Sequence, residues 1–173
     1  MMDTRSNGRT HNWFGVVGLL IALLLMGSCS YSEEKAIEQS AVSFAQKYFN
    51  LHYCQALSEC TPESKKWVRL KASNITQEDL DILNTQADSA TCTVELVEFD
   101  GDSATTIVEV CNFLNCDSIG EPGVICSNAK FKLTLKKIGK QWKVDIQSPI
   151  TQTGYDDFDF FFCGNEVARG RCE

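Results

Sequence analysis

Residues 129–146 alternate between apolar and polar side chains, and that alternation leaves the chain few folds to choose from. Phe131, Leu133 and Leu135 fall on one side of an extended backbone, and Lys130, Lys132, Thr134 and Lys136 on the other. Successive side chains of a strand point to opposite faces, so this spacing predicts a strand with one buried and one solvated face. Gly139 marks a turn. QWKVDI then repeats the pattern, with Trp142, Val144 and Ile146 inward and Lys143 and Asp145 outward. Two more strands are predicted upstream. Residues 92–99, CTVELVEF, run into Asp100-Gly101, a hairpin signal, and residues 103–113, SATTIVEVCNF, return from it. The result is an antiparallel meander with one apolar face that something must cover.

The cover is predicted on the N-terminal side. Residues 35–57, KAIEQSAVSFAQKYFNLHYCQAL, have helical periodicity, which puts Ile37, Ala41, Phe44, Ala45, Tyr48, His52 and Ala56 on one face. Thr61-Pro62 predicts a second helix start, with Thr as N-cap and Pro at the first position; that helix presents Trp67 and Leu70 from a basic background. Thr76 predicts the cap of a short third helix, with Asp79 at the capping-box position and Leu80 and Leu83 inward. Helices first and a meander after give an α+β fold, with N-terminal helices packed on a curved antiparallel sheet.

A long first helix of the form AVSFAQKYFNLHYCQAL, two shorter helices, and strands ending in LTLKKIGKQWKVDI together resemble the nuclear-transport-factor-like (NTF2-like) superfamily. More narrowly, they resemble small Bacteroidota lipoproteins with that cone-shaped fold, related to the lumazine-binding-like group. The resemblance covers about residues 33–147, and the K-x-W-K-V-D hairpin at 140–145 is its most specific part. The superfamily holds isomerases, dehydratases, ligand binders and scaffolds, so the resemblance implies a fold and a pocket rather than a reaction.

The N-terminus carries an address. Arg5 and Arg9 form a basic start, and residues 13–26, WFGVVGLLIALLLM, form a charge-free apolar run that is short for a membrane span. Gly27, Ser28 and Cys29 follow. Small residues before a nucleophilic thiol resemble the bacterial lipoprotein box, although Met26 stands where Leu is usual and Ser28 where Gly or Ala is usual. The resemblance implies cleavage after residue 28, a lipidated Cys29, and attachment in the bacterial cell envelope. Ser30 in place of Asp implies the outer membrane, and Glu33 and Glu34 resemble a surface-export signal. The organisation expected is therefore a signal peptide at 1–28, a lipidated acidic tether at 29–34, the α+β domain at 35–147, and a Cys-containing aromatic extension at 148–173. The membrane is then a partner through the N-terminal lipid.

Of the nine cysteines, Cys29 is taken by the lipid. The even remainder is Cys54, Cys60, Cys92, Cys111, Cys116, Cys126, Cys163 and Cys172. In an exported domain an even set reads as a disulfide framework of up to four bridges, so the fold is expected to be disulfide-stapled. Loop spacing favours Cys163–Cys172 and Cys116–Cys126, and Cys54 and Cys60 could bridge only across a helix break. There is no C-x-x-C knuckle and only one mature histidine, so neither a metal nor a cofactor is expected.

The net charge is −7, and it becomes −8 once the leader's Arg5, Arg9 and Asp3 are removed. Such a chain lacks the basic face of a nucleic-acid binder, and no nucleic-acid partner is expected. His52 has two readings: a general base in a pocket, or a buried structural histidine bonded to Tyr48, Tyr53 or backbone. The second is preferred, because no carboxylate partner is evident. Ser89, Ser103 and Ser118, each after an Asp, resemble Bacteroidota O-glycosylation sites, though Asp-Ser is also ordinary turn chemistry. Asn74-Ile75-Thr76 fits a eukaryotic sequon and conflicts with the leader. In the tail, Phe158, Phe160 and Phe162 alternate with Asp157, Asp159 and Phe161, either as an added edge strand or as a partner-binding strip. The function expected is a non-catalytic envelope lipoprotein that binds a small apolar ligand or an envelope protein. The alternatives are an isomerase- or hydratase-type enzyme using His52 and a structural subunit of a surface assembly.

The order basic, apolar, small, Cys makes a direct prediction. The mature N-terminus should be a diacylglyceryl-modified Cys29, and Cys29→Ser should leave either unprocessed precursor or a soluble domain that still folds. Mass spectrometry of the purified N-terminus decides it: an unmodified start at any other residue defeats the lipoprotein reading.

Overall fold

The computed structural model describes residues 11–116 and 121–150, with the side chains described from residue 30 onward. It divides into two units, 1–35 and 36–173. The first unit holds the N-terminal part of helix α1 (His11–Phe49); Cys29 lies in it, with its side chain outside the described residues. The second unit is the α+β body. Its further elements are α2 (Tyr53–Ala56), α3 (Lys65–Ser73), α4 (Gln77–Thr85), β1 (Thr91–Asp100), β2 (Ser103–Asn115), β3 (Val124–Ile138) and β4 (Gln141–Val144). The four strands form one antiparallel sheet in chain order. The expected α+β meander is therefore the fold observed.

The sheet's inner face carries Ala104, Val108 and Val110 of β2, Phe131, Leu133 and Leu135 of β3, and Trp142 and Val144 of β4, all buried. The predicted alternation of β3 and β4 holds residue for residue, and Gly101 and Gly139 take the positive φ that their turns require (56° and 64°). Against this face lie Ile37, Ala41, Phe44, Ala45 and Tyr48 of α1 in one continuous core. Phe49 is the junction. Its ring centroid is 4.5 Å from that of Phe131 and 5.5 Å from that of Phe113, and those two rings are 5.5 Å apart edge to face. Aromatic pairs in such geometry add about 0.5–1.5 kcal/mol each beyond their buried area.

Helix α1 stops earlier than its periodicity implies. His52 N–H donates to Lys47 O at 2.8 Å and Leu51 N–H to Tyr48 O at 3.2 Å, with Leu51 at φ 58°. This is the Schellman stop, here with Leu at the left-handed position where glycine is usual. The chain turns there, and α2 brings Tyr53 and Ala56 back into the core.

Two further helix starts differ in opposite senses. The capping box at Thr76 and Asp79 is formed as predicted. Leu80, however, is 39% exposed, and the buried residue of that turn is Asp79, at 1%. Thr61 is not the N-cap of α3; that position is Ser64. Both hydroxyls turn instead toward the end of β4. Thr61 Oγ1 is 2.6 Å from Ser64 Oγ and donates to Asp145 Oδ1 at 2.9 Å, while Ile146 N–H donates to Ser64 Oγ at 2.7 Å. Beside them, Thr61 N–H donates to Val144 O at 2.9 Å and Val144 N–H to Glu59 O at 3.0 Å, which closes the outer edge of β4. Trp67 is half-buried, Leu70 is 46% exposed, and Val68 is the fully buried residue of α3.

The expected four-bridge framework is not formed. Cys54, Cys60, Cys92 and Cys116 are free thiols, so neither a four-bridge framework nor the Cys116–Cys126 bridge forms. The helix break that would permit Cys54–Cys60 exists, but Cys54 faces solvent while Cys60 is buried beside β4. The other two described cysteines, Cys111 of β2 and Cys126 of β3, are disulfide-bonded; Cys163 and Cys172 lie outside the described residues. An even count says nothing about whether side chains meet, and here their directions keep these four apart.

Asp79 does part of the work a staple would have done. It accepts from Thr76 N–H (2.7 Å), the Thr76 hydroxyl (2.9 Å) and, across to the start of β3, Gly123 N–H (2.7 Å). Burial alone would raise its pKa; the bonds from Thr76 and Gly123, with the Cys116 thiol adding a further one, outweigh burial and hold it below the ordinary 3.8. A depressed carboxylate stabilises the fold fully above its unfolded pKa and loses that contribution as pH falls through the folded value. Asp79→Asn should therefore cost about 1.5–3 kcal/mol at neutral pH, and the gap to wild type in urea unfolding should shrink on acidification below the ordinary pKa. A gap unchanged down to acid would contradict this assignment.

Candidate functional site

The described residues enclose a small cavity. Of about 20 Å³, it lies where the end of α1, the following turn, α3, the distal end of β2 and the middle of β3 converge. Tyr48, Phe49 and Leu51 come from α1 and its stop, and Tyr53 from α2. Phe113, Leu114 and Asn115 come from β2, Phe131 from β3, and Ile150 from the segment after β4. The Schellman stop explains the local geometry. By reversing the chain at Leu51 it sets Tyr48 and Tyr53 edge to face, with centroids 5.4 Å apart. On β2, Asn112 at φ 54° interrupts the pairing with β3, between Cys111↔Asn128 and Phe113↔Cys126, and Phe113 and Leu114 beyond it are both buried.

Lys71 is the single charged side chain in this lining, and it donates to Cys116 O at 2.8 Å. The volume holds about one water. The chain's own rings fill the space in front of the sheet, and a ligand of ordinary size, roughly 300–1,000 Å³, would need the walls to part. What remains accessible is the rim: Leu51, Asn115 and Ile150 are half-buried.

The residues expected to carry function from sequence are dispersed. His52 is exposed, caps α2 without a side-chain bond, and is absent from the cavity lining. The buried structural role and the pocket-base role both required it to point inward; the reversal at Leu51 turns it out. Ser89 and Ser103 are exposed in the stretches flanking β1, as a modification site requires, and Ser118 lies outside the described residues. Among the described residues no group of three His, Cys, Asp or Glu side chains could hold a metal ion. The sequence reading missed Lys71 and Asn115. Lys71 stood in a basic helix with nothing to distinguish it, and Asn115 stood beyond the predicted end of its strand.

No family model and no curated protein matches the chain. Among solved structures it is similar to a protein named as an NTF2-like transpeptidase from Campylobacter jejuni, at 20% identity and a TM-score of 0.43, covering 64% of this chain and 97% of the other. It is also similar to a de novo designed β-sheet protein (19% identity, TM-score 0.35, 73% and 93% covered). A third likeness is to an NTF2-like protein involved in plasmid conjugation (10% identity, TM-score 0.33, 72% and 50% covered). At such scores none of the three carries an argument about this chain.

The thiols give the fold a chemical test. Burial pushes Cys92 up to about 12, and burial also raises Cys60, against the pull of Lys65, Lys143 and Arg69. At pH 8 iodoacetamide should modify exposed Cys54 in the folded protein and leave Cys92 untouched. Denaturation without reductant should expose Cys54, Cys60, Cys92 and Cys116 together. Fewer than four labelled sites under those conditions would restore part of the disulfide framework.

Proposed function

We propose that this chain is a lipid-anchored envelope protein whose NTF2-like body is a non-catalytic binding module, taking an apolar side chain of a partner protein at the rim of the aromatic cavity. The observation that carries the reading is the cavity's size against its lining. Aromatic walls with one lysine favour an apolar group, and about 20 Å³ favours a single inserted side chain over a whole small molecule. Helices followed by a meander closing in K-x-W-K-V-D support the NTF2-like assignment, and the leader ending at Cys29 supports the envelope location. The exposure of His52 weighs against the enzyme built on it. The surface-assembly reading fits the same rim, because an assembly contact is one form of protein partner.

A photo-activatable side chain at Asn115, in the full chain in its own host's envelope, should yield one discrete protein adduct. Leu114→Glu should abolish that adduct, and His52→Asn should leave it intact. A stoichiometric small molecule in native mass spectrometry, with no protein adduct, would replace the partner with a ligand. Loss of the adduct on His52→Asn in a folded chain would revive the enzyme.

A further inference from the structure

Between residues 72 and 129 the chain has no lysine or arginine, and between 130 and 144 it has no aspartate or glutamate. The meander turns this segregation along the chain into one across the sheet. β1 and β2 belong to the first stretch; β4 and most of β3 belong to the second. The face turned away from α1 therefore has two halves of opposite sign. Glu98 and Asp100 of β1 and Glu109 of β2 stand on one half; Lys132 and Lys136 of β3 and Lys143 of β4 stand on the other. Their neighbours along the strands, such as Val108, Val110, Leu133, Leu135 and Val144, are buried on the inner side. Glu98, Asp100, Lys132 and Lys136 are exposed, and Glu109 and Lys143 are half-buried. Among the described residues Glu98, Asp100, Glu109 and Lys132 have no ion-pair partner. Two other charges on this face are already taken. Lys130 holds Glu95 at 2.7 Å, and Asp145, the acid that follows β4, accepts from Thr61 Oγ1 at 2.9 Å and lies 3.8 Å from Lys136.

A uniformly anionic or cationic partner would meet like charge over half of this face. A second copy of the chain need not. Turned over about a two-fold axis parallel to the strands and midway between β2 and β3, it lays its β3 on β2 and its β4 on β1. Residues of one register row then face each other: Glu109 meets Lys130, Ile107 meets the stem of Lys132, and Asp100 meets Lys143 of the other copy. The other in-plane axis, across the strands, would set β1 on β1 and lysines on lysines, and like charges placed opposite each other repel. Half-buried Ile107 and Leu96, 45% exposed, add apolar contact. Strands about 4.8 Å apart and rows about 6.8 Å apart give a patch of roughly 400–500 Å² per copy, or roughly 800–1,000 Å² in all. That is the small end of specific interfaces, as a reversible, charge-led contact requires.

We propose that the outer face of the sheet is a self-complementary docking surface for a second copy of this chain, with the acidic half of each copy on the basic half of the other. The surface lies on the other side of the sheet from the Phe131 ring that lines the cavity, so the proposal stands whether or not the cavity rim takes a partner.

The full-length chain in detergent, half of it isotope-labelled, tests this. Zero-length carbodiimide coupling should give mixed-isotope cross-links that join Glu98 or Asp100 to Lys136 or Lys143. Raising NaCl from roughly 0.05 to 0.5 M should weaken association by about tenfold, because screening shortens the reach of the charge pairs. Glu98→Lys with Asp100→Lys, and Lys132→Glu with Lys136→Glu, should each leave monomers. Mixing those two variants should restore a dimer, which also shows that both are folded. A monomer at every concentration reached, a dimer indifferent to salt and to the charge reversals, or mixed-isotope cross-links confined to other faces would each overturn the proposal.

Discussion

The body depends on one meeting of rings. Phe49 closes the buried face of α1 at the point where Phe113 and Phe131 rise from adjacent strands, and the three rings fix where the helix sits along the sheet. From that contact the other placements follow. The stop at Leu51 then returns Tyr53 and Ala56 to the same core. The cavity is what the rings leave over once they have packed.

Much of this was legible. The apolar face of α1 from Ile37 to Tyr48 and the alternation of β3 and β4 are periodic, and period alone places such residues. The Thr76–Asp79 box is a local motif whose partners lie three residues apart, so sequence shows it whole. What escaped notice was non-local or unsignalled. Leu51 adopts a conformation that glycine would have announced, and the error carries straight to His52, which the uninterrupted helix would have buried. Thr61 and Ser64 look like caps, but their best partners lie more than 80 residues away, at Asp145 and Ile146.

The cysteines teach the same lesson from the other side. Parity and an expected export argued for bridges, and both are statements about the whole chain. Whether two sulfurs meet is decided by which way each strand or turn points its side chain. Cys92 points into the core beside Val110 and meets apolar groups. Cys116 turns to Asp79, which also gathers Gly123 N–H. There is no room for a larger residue at that crossing: a Cβ on Gly123 would stand 2.7 Å from the Cys116 sulfur. The segment entering β3 is thus positioned by a carboxylate and a close approach.

The bonds from Thr61 and Ser64 to Asp145 and Ile146 set an order of events. The turn ahead of α3 cannot complete its bonds until β4 has joined the sheet, and before that its hydroxyls bond to water or to each other. Closing contacts so distant along the chain costs loop entropy before it returns any stabilisation, which makes such a step late and slow. Until then the apolar face of α1 lies open. A chain built this way needs either quick collapse of its β2–β3 hairpin or an escort that shields the helix while the last strand arrives.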